Sequence, residues 1–371
     1  MSVLEAAKAL APRVAQLAEL GESERHLPDE LVASFRSAGL FSMCVPASLG
    51  GGEVTVEELI RTIEAIAQAD AAAAWCAMIQ STSGILTAYL APEGTNEILA
   101  AGDAVLGGVY APLGRAEKVE GGFRATGRWP FASGSRHCNW LIGGCLTEGM
   151  PPRLLVFRAD EVTIHDTWHV SGLAGTGSND FEVIDVFVPF GRTCDIANER
   201  PVIDNKLCKF PVFGLLALGI AAVALGTARG AIDDLLELAG AKTPTGSRRK
   251  LAERPLVQLQ LAQAAATLGS ARALVFETVG RCWRSAEGGE ELTVQDRAEL
   301  RLAATHATVA SAQVVDAMYN AGGGTSIYRT STLQRRFRDI HAATQHVMVG
   351  QPTFELAGRI LLGLETDIST L

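Results

Sequence analysis

The side chains best suited to proton chemistry at neutral pH lie near the C-terminal end, in the stretch from Gly322 to His346. The glycines Gly322, Gly323 and Gly324 break one long helical pattern, a polar turn follows, and a second helix is predicted to start near Leu333. Leu333, Phe337, Ile340, Thr344, Val347 and Met348 recur at helical spacing and form one apolar stripe. On the same wheel His346 falls on the opposite, polar face, with Asp339 and Arg335 in the preceding turns. An imidazole placed there faces solvent, a cavity, a ligand or another subunit. Its ordinary pKa, near ~6.5, suits a general base. His341 sits at the edge of the stripe and reads as structural.

Other motifs carry less. Ser133 with His137 suggests a hydrolase, yet no G-x-S-x-G elbow surrounds the serine. Gly172-Leu-Ala-Gly-Thr-Gly177 precedes a strand pattern and so does not open a helix as a dinucleotide fingerprint must. No G-x-x-x-x-G-K-[ST] occurs. His165 and His169 have the spacing of metal ligands on a helix, but they lie in a β-patterned region with no glutamate after the first, and no metal is expected.

Composition bounds the remaining classes. The 371 residues are 48% apolar and 20% charged, with a formal charge of −9 and no basic run longer than Arg248-Arg249-Lys250. Nucleic acid and anionic membranes are poor partners for such a chain. The seven cysteines are scattered and odd in number, as in a cytoplasmic protein with reduced thiols. The N-terminus lacks the layout of a signal peptide, and the apolar run Phe213–Leu225 falls short of the ~20 residues that span a bilayer. It reads as a buried helix.

Three segments must position the candidate residues. Residues 1–103 are helical in pattern. Thr55-Val-Glu-Glu58 is a capping box ahead of an amphipathic helix, and the alanine-rich Asp70–Leu90 segment is apolar nearly all round. Residues 104–200 carry short strands, at 123–129, 140–146, 153–157 and 181–188, without helices between them. An antiparallel β-domain is predicted. Residues 201–371 return to helix, about 211–241, 254–286, 293–320, a helix from Leu333 and a short piece near 354–362. The class is α+β, mostly α: an N-terminal helical domain, a central β-domain and a C-terminal four-helix bundle.

Two segments carry a likeness. Gly127-Arg-Trp-Pro-Phe-Ala-Ser-Gly-Ser-Arg-His-Cys-Asn-Trp140 and Trp168-His-Val-Ser-Gly-Leu-Ala-Gly-Thr-Gly-Ser-Asn-Asp180 resemble the flavin-contacting strands of the acyl-CoA dehydrogenase fold. The W-P-F-A-S-G form is most similar to the oxygenase components of two-component flavin-dependent monooxygenases, which act on 4-hydroxyphenylacetate, steroid-derived phenols, indoles or dibenzothiophene. Dehydrogenases of this fold carry a glutamate base shortly after an Arg-Asp pair. Here Arg338-Asp339 leads instead to His346, as in the oxygenase branch.

The resemblance implies FMNH2 or FADH2 supplied by a separate NAD(P)H-dependent reductase, reacting with O2 to give a C4a-hydroperoxide that hydroxylates an aromatic or heteroaromatic ring. It implies His346 as general base and Ser133 as a hydrogen-bonding group at flavin N5. Trp129, Phe131, Ala132, Gly134, Thr176, Gly177 and Ser178 would hold the flavin, with Arg272, Gly323 and Gly324 reaching it from a neighbouring subunit of a homotetramer. Trp75, Ser81, Tyr110 and Phe213 are the expected substrate contacts. N- or S-oxygenation, acyl-CoA dehydrogenation and a non-catalytic binding role are the alternatives.

Overall fold

The computed structural model describes residues 1–371. Five helices come first: α1 (Val3–Glu24), α2 (Asp29–Ser37), α3 (Val56–Ala67), α4 (Ala71–Ser83) and α5 (Pro92–Leu99). Thr55 opens α3 by accepting the Glu58 N–H at 3.1 Å, and Val56, Leu59, Ile60, Ile63 and Ile66 turn inward. Asp70 caps α4 through the Ala73 N–H at 2.8 Å. Every residue of α4 but Ile79 is buried, as its all-round apolar pattern requires.

Seven strands follow: β1 (Leu106–Val119), β2 (Gly122–Ala132), β3 (Trp140–Thr147), β4 (Met150–Arg158), β5 (Thr163–His165), β6 (Asn179–Pro189) and β7 (Thr193–Cys194). They form one sheet in the order β5-β6-β2-β1-β3-β4-β7. The sheet is mixed rather than purely antiparallel, because β1 and β3 run parallel with Leu106 opposite Trp140. The hairpin returns the end of β2 to the start of β1, and the chain rounds that end to begin β3 on the other side. The loop 133–139 is therefore wrapped around the head of β1, with the Asn139 and Trp140 N–H groups on the Val105 carbonyl. Gly107 permits this, since a Cβ there would lie 2.7 Å from Cys138 Sγ.

The C-terminal part is α6 (Val212–Ala241), α7 (Pro255–Glu287), α8 (Val294–Gly322), α9 (Thr332–Ala343) and α10 (Pro352–Leu361). Thr293 and Asp296 cap α8 reciprocally. At 30 residues, α6 is longer than the apolar run suggested and is long enough to cross a membrane, but 78% of its most apolar window is buried within the fold. One continuous apolar core runs through the N-terminal helices, the sheet and the bundle.

Helix α9 ends at Ala343, so His346 and Val347 do not extend its two faces as expected. Val347 is 80% exposed, and His346 begins a separate short turn. What α9 does is join bundle to sheet. Arg336 pairs with Asp234 at 2.6 Å and donates to the Gln68 carbonyl at 2.8 Å. On the other side Arg338 donates to the Ser171 carbonyl at 2.6 Å, and a Cβ on Gly172 would sit 2.0 Å from the Arg338 carbonyl oxygen. Gly172→Ala should therefore force α9 off the β-module and cost about 1–3 kcal/mol. Chemical denaturation checks this, and an unchanged midpoint would show that the joint is loose.

Candidate active site

Two loops and two helices meet where α4 passes the head of the sheet. The first loop, Phe131–Cys138, leaves β2. The second, Gly172–Ser178, enters β6. Backbone and side chain zip them together, the Gly134 N–H donating to the Thr176 carbonyl at 2.8 Å and the Ser135 hydroxyl to the Gly177 carbonyl at 3.1 Å. Gly134 sits at φ +73°, where a Cβ would strike Gln80 and His137, so the close approach requires glycine. Gln80 of α4 donates to the Ser133 carbonyl at 2.9 Å.

A buried chain of polar side chains runs through this seam. Trp75 Nε1 donates to Ser133 Oγ at 3.0 Å, Ser133 Oγ lies 2.8 Å from Ser178 Oγ, and Ser178 Oγ lies 2.7 Å from Thr176 Oγ1. Thr176 Oγ1 donates to the Leu173 carbonyl at 2.7 Å. The Leu173 N–H in turn donates to Asp339 Oδ1 of α9 at 2.6 Å. Asp339 thus anchors the second loop and makes no hydrogen bond to His346, although the two share one face of the helical wheel.

Burial is the largest influence raising the Asp339 carboxyl, and the nearby Asp70 adds to it. The Leu173 N–H, Arg335 and Arg338 pull the other way, leaving it pushed up to about 7. Asp70 is raised for the same first reason, with Arg335 as its main opposing charge.

His346 packs edge-on against Trp75, ring centroids 5.8 Å apart. Its Nδ1 accepts the Met348 N–H at 3.2 Å, and Arg301 holds the Met348 carbonyl at 3.0 Å. Burial, with the Arg301 charge second, lowers the imidazole to about 4. The ring is thus neutral at working pH, as a base requires, but far weaker than an unperturbed imidazole. With Nδ1 occupied by an N–H donor, the neutral ring carries its proton on Nε2.

Of the residues singled out from sequence, Trp75, Ser133, Gly134, Thr176, Gly177, Ser178 and His346 come together here. Ala132 is buried beside them, and Phe131 stands at the edge, 68% exposed, with φ +67° and its ring perpendicular to Trp168. Trp129 is elsewhere: it is fully buried inside the β-module, stacked 4.8 Å from Phe181, and its N–H is taken by the Gly144 carbonyl. Ser81 bonds Cys44 Sγ, Tyr110 packs on the smaller apolar cluster around Trp140, and Phe213 is half-buried in the first turn of α6. Arg272 is paired through two 2.9 Å bonds with Glu64, and Gly323 and Gly324 are exposed, so within one chain none of the three reaches the seam.

Asp339 is visible in the sequence beside His346 on the wheel, but its bond to the Leu173 N–H is not. Gln80 gives only the signal of an isolated amide in an apolar helix. Arg301 lies in an unremarkable helical pattern and gave none.

The seam offers a flat aromatic ligand an uncovered Phe131 face and, at Ser133, a hydroxyl with a spare lone pair. Those features fit a flavin ring.

Asp339 also sets a stability expectation. Its folded pKa lies above the ordinary carboxyl value, so the folded state holds the extra proton. The contribution is present at low pH and lost as pH rises from about 4 to about 7. Asp339→Asn should abolish that slope and leave the protein about 1–3 kcal/mol more stable at pH 8. Denaturation midpoints at pH 5 and 8 measure it, and an equal slope in both proteins would contradict it.

Known proteins resemble this chain over nearly its whole length. Residues 3–100 match the acyl-CoA dehydrogenase N-terminal domain and residues 218–351 its C-terminal domain. The chain is 34% identical to the indole-3-acetate monooxygenase of Pseudomonas putida over 96% of this chain and 93% of that one. It is 29% identical to the oxygenase component of an FADH(2)-dependent resorcinol hydroxylase of a Rhizobium species, over 96% and 94%. The crystal structure of the HsaA monooxygenase from Mycobacterium tuberculosis superposes with a TM-score of 0.91 at 26% identity, covering 99% of each chain. The chain belongs to the acyl-CoA dehydrogenase-fold family, among its flavin-dependent monooxygenase oxygenase components.

Proposed function

We propose that this protein hydroxylates an electron-rich aromatic or heteroaromatic compound, of phenol or indole type, in the seam between Trp75, Ser133 and His346. One observation carries the reading: the titratable group against Trp75 is a neutral imidazole, while the nearby carboxylate, Asp339, is committed to the Leu173 N–H. A dehydrogenase of this fold needs a free carboxylate base there. Reduced flavin, FMNH2 or FADH2, supplies with O2 the electrophilic oxygen atom. Ser133 would hold the ring nitrogen edge, Gly134, Thr176, Gly177 and Ser178 would shape the cradle, and Phe131 would cover a face. Close packing of α4 against both loops excludes water, which protects oxygen chemistry from hydrolysis.

His346 faces the substrate. A pKa of about 4 and an engaged Nδ1 make it a poor proton acceptor at Nε2, so its role shifts from the expected general base to hydrogen-bond donor. Nε2–H orients a substrate oxygen and stabilises negative charge as the ring becomes nucleophilic. His346→Ala should lower hydroxylation by about 10–100-fold, and His346→Gln, which retains a donor, should recover a large part of it. Equal losses in the two variants would restore the general-base role. No step from His346 is expected in the pH profile between pH 5 and 8, because its folded pKa lies below that window.

The reduced flavin comes from a separate NAD(P)H-dependent reductase, in the cytoplasm, where the seven free cysteines stay reduced. The working form is a homotetramer. Helix α7 leaves Leu256, Leu259 and Leu274 exposed, with no charged residue between Arg254 and Arg272, a face suited to another copy. In that assembly Arg272, Gly323 and Gly324 reach the cofactor of a neighbour. Light scattering should give about four times 39.1 kDa, and a monomer at micromolar concentration would refute the assembly.

A further inference from the structure

The polarity of the buried hydroxyl chain follows from counting protons. A serine or threonine hydroxyl has one proton to give and two lone pairs. The chain ends on the Leu173 carbonyl, which only accepts, so Thr176 spends its proton there. Ser178, 2.7 Å from Thr176, must then donate to it, and Ser133, 2.8 Å from Ser178, must donate to Ser178. At the other end the indole N–H of Trp75 only donates, and it takes one lone pair of Ser133. Ser133 has no proton left and one lone pair free.

We infer that Ser178 and Thr176, by fixing Ser133 as a pure acceptor, make the site select reduced over oxidised flavin. The inference rests on the flavin reading above. Reduced flavin carries a proton on N5 and donates to the free lone pair. Oxidised flavin presents a lone pair at N5, which meets another lone pair. Ser133 is neither charged nor mobile, since its carbonyl is held by Gln80 and its hydroxyl by two buried partners. The discrimination therefore lies in the residues bonded in line behind Ser133 and not in Ser133 alone. Ser178 and Thr176 are specificity-determining through Ser133, and Trp75 completes the restraint.

Titrations of the whole protein test this, with FAD and FMN oxidised in air and the same flavins dithionite-reduced under anaerobic conditions, followed by absorbance and fluorescence. For the unaltered protein the ratio of oxidised to reduced Kd should be large. Ser178→Ala frees the Ser133 proton to donate to oxidised N5, so oxidised flavin should bind tighter and the ratio should fall at least about fivefold. Ser178→Thr, which keeps the hydroxyl, should restore the ratio. Thr176→Val should lower it through the same loss of polarity and serves where Ser178→Ala does not fold. Flavin binding with an unchanged ratio in Ser178→Ala and Thr176→Val would overturn the inference alone. If neither redox form binds the unaltered protein, the flavin reading falls and the inference with it.

Discussion

The joint between α9 and the Gly172–Ser178 loop is the constraint on which the site depends. It consists of a carboxylate, a backbone N–H and a glycine with no room for a methyl group: Asp339 grips Leu173, and Gly172 lies against the Arg338 carbonyl. Leu173 is held in the left-handed region at φ +54°, uncommon for a branched residue. That conformation turns its N–H toward the bundle, while its carbonyl gathers Trp168 Nε1, Thr176 Oγ1 and the Thr176 N–H. A single residue, Leu173, thus ties the C-terminal helices to the hydroxyl chain that ends at Ser133. Movement of α9 would be transmitted to Ser133 through four hydrogen bonds in line rather than through soft packing.

The same joint places two acids, Asp70 and Asp339, in the interior at the foot of the site. Burial opposes the ionisation of both, the Asp70 charge adds to it at Asp339, and Arg335 compensates each in part. Carboxyls in such surroundings weaken a fold at high pH. They are retained in positions where each also satisfies a backbone donor: Asp70 the start of α4, which carries Trp75, and Asp339 the loop that carries Thr176 and Ser178. Polar satisfaction at the site therefore comes with a pH-dependent cost to stability.

Much of this architecture was legible in the residues, and the exceptions have physical causes. Caps at Thr55 and Thr293 and the all-apolar α4 are local signals, and local signals survive folding. The parallel pairing of β1 with β3 is non-local: it depends on a loop rounding a strand end, which no periodicity records. His346 stands out in the sequence, but its surroundings do not. The helical wheel was continued past Ala343, where the helix stops, and a wheel carries no information about Trp75 or the Met348 N–H. Ser133, Thr176 and Ser178 were visible as motif residues, yet their shared proton chain exists only because two loops distant in sequence are zipped together. Trp129 looked like a cofactor contact because of its motif, and packing made it core.

The most direct test of the account is the environment of N5 in bound reduced flavin. Flavin labelled with 15N at N5, reduced and added anaerobically, can be followed by NMR in the unaltered protein and in Ser133→Ala. A hydrogen-bonded N5–H, shifted from free reduced flavin and reverting toward it when the serine hydroxyl is removed, is the predicted result. An N5 resonance that is the same in both proteins would contradict the placement of the flavin edge at Ser133.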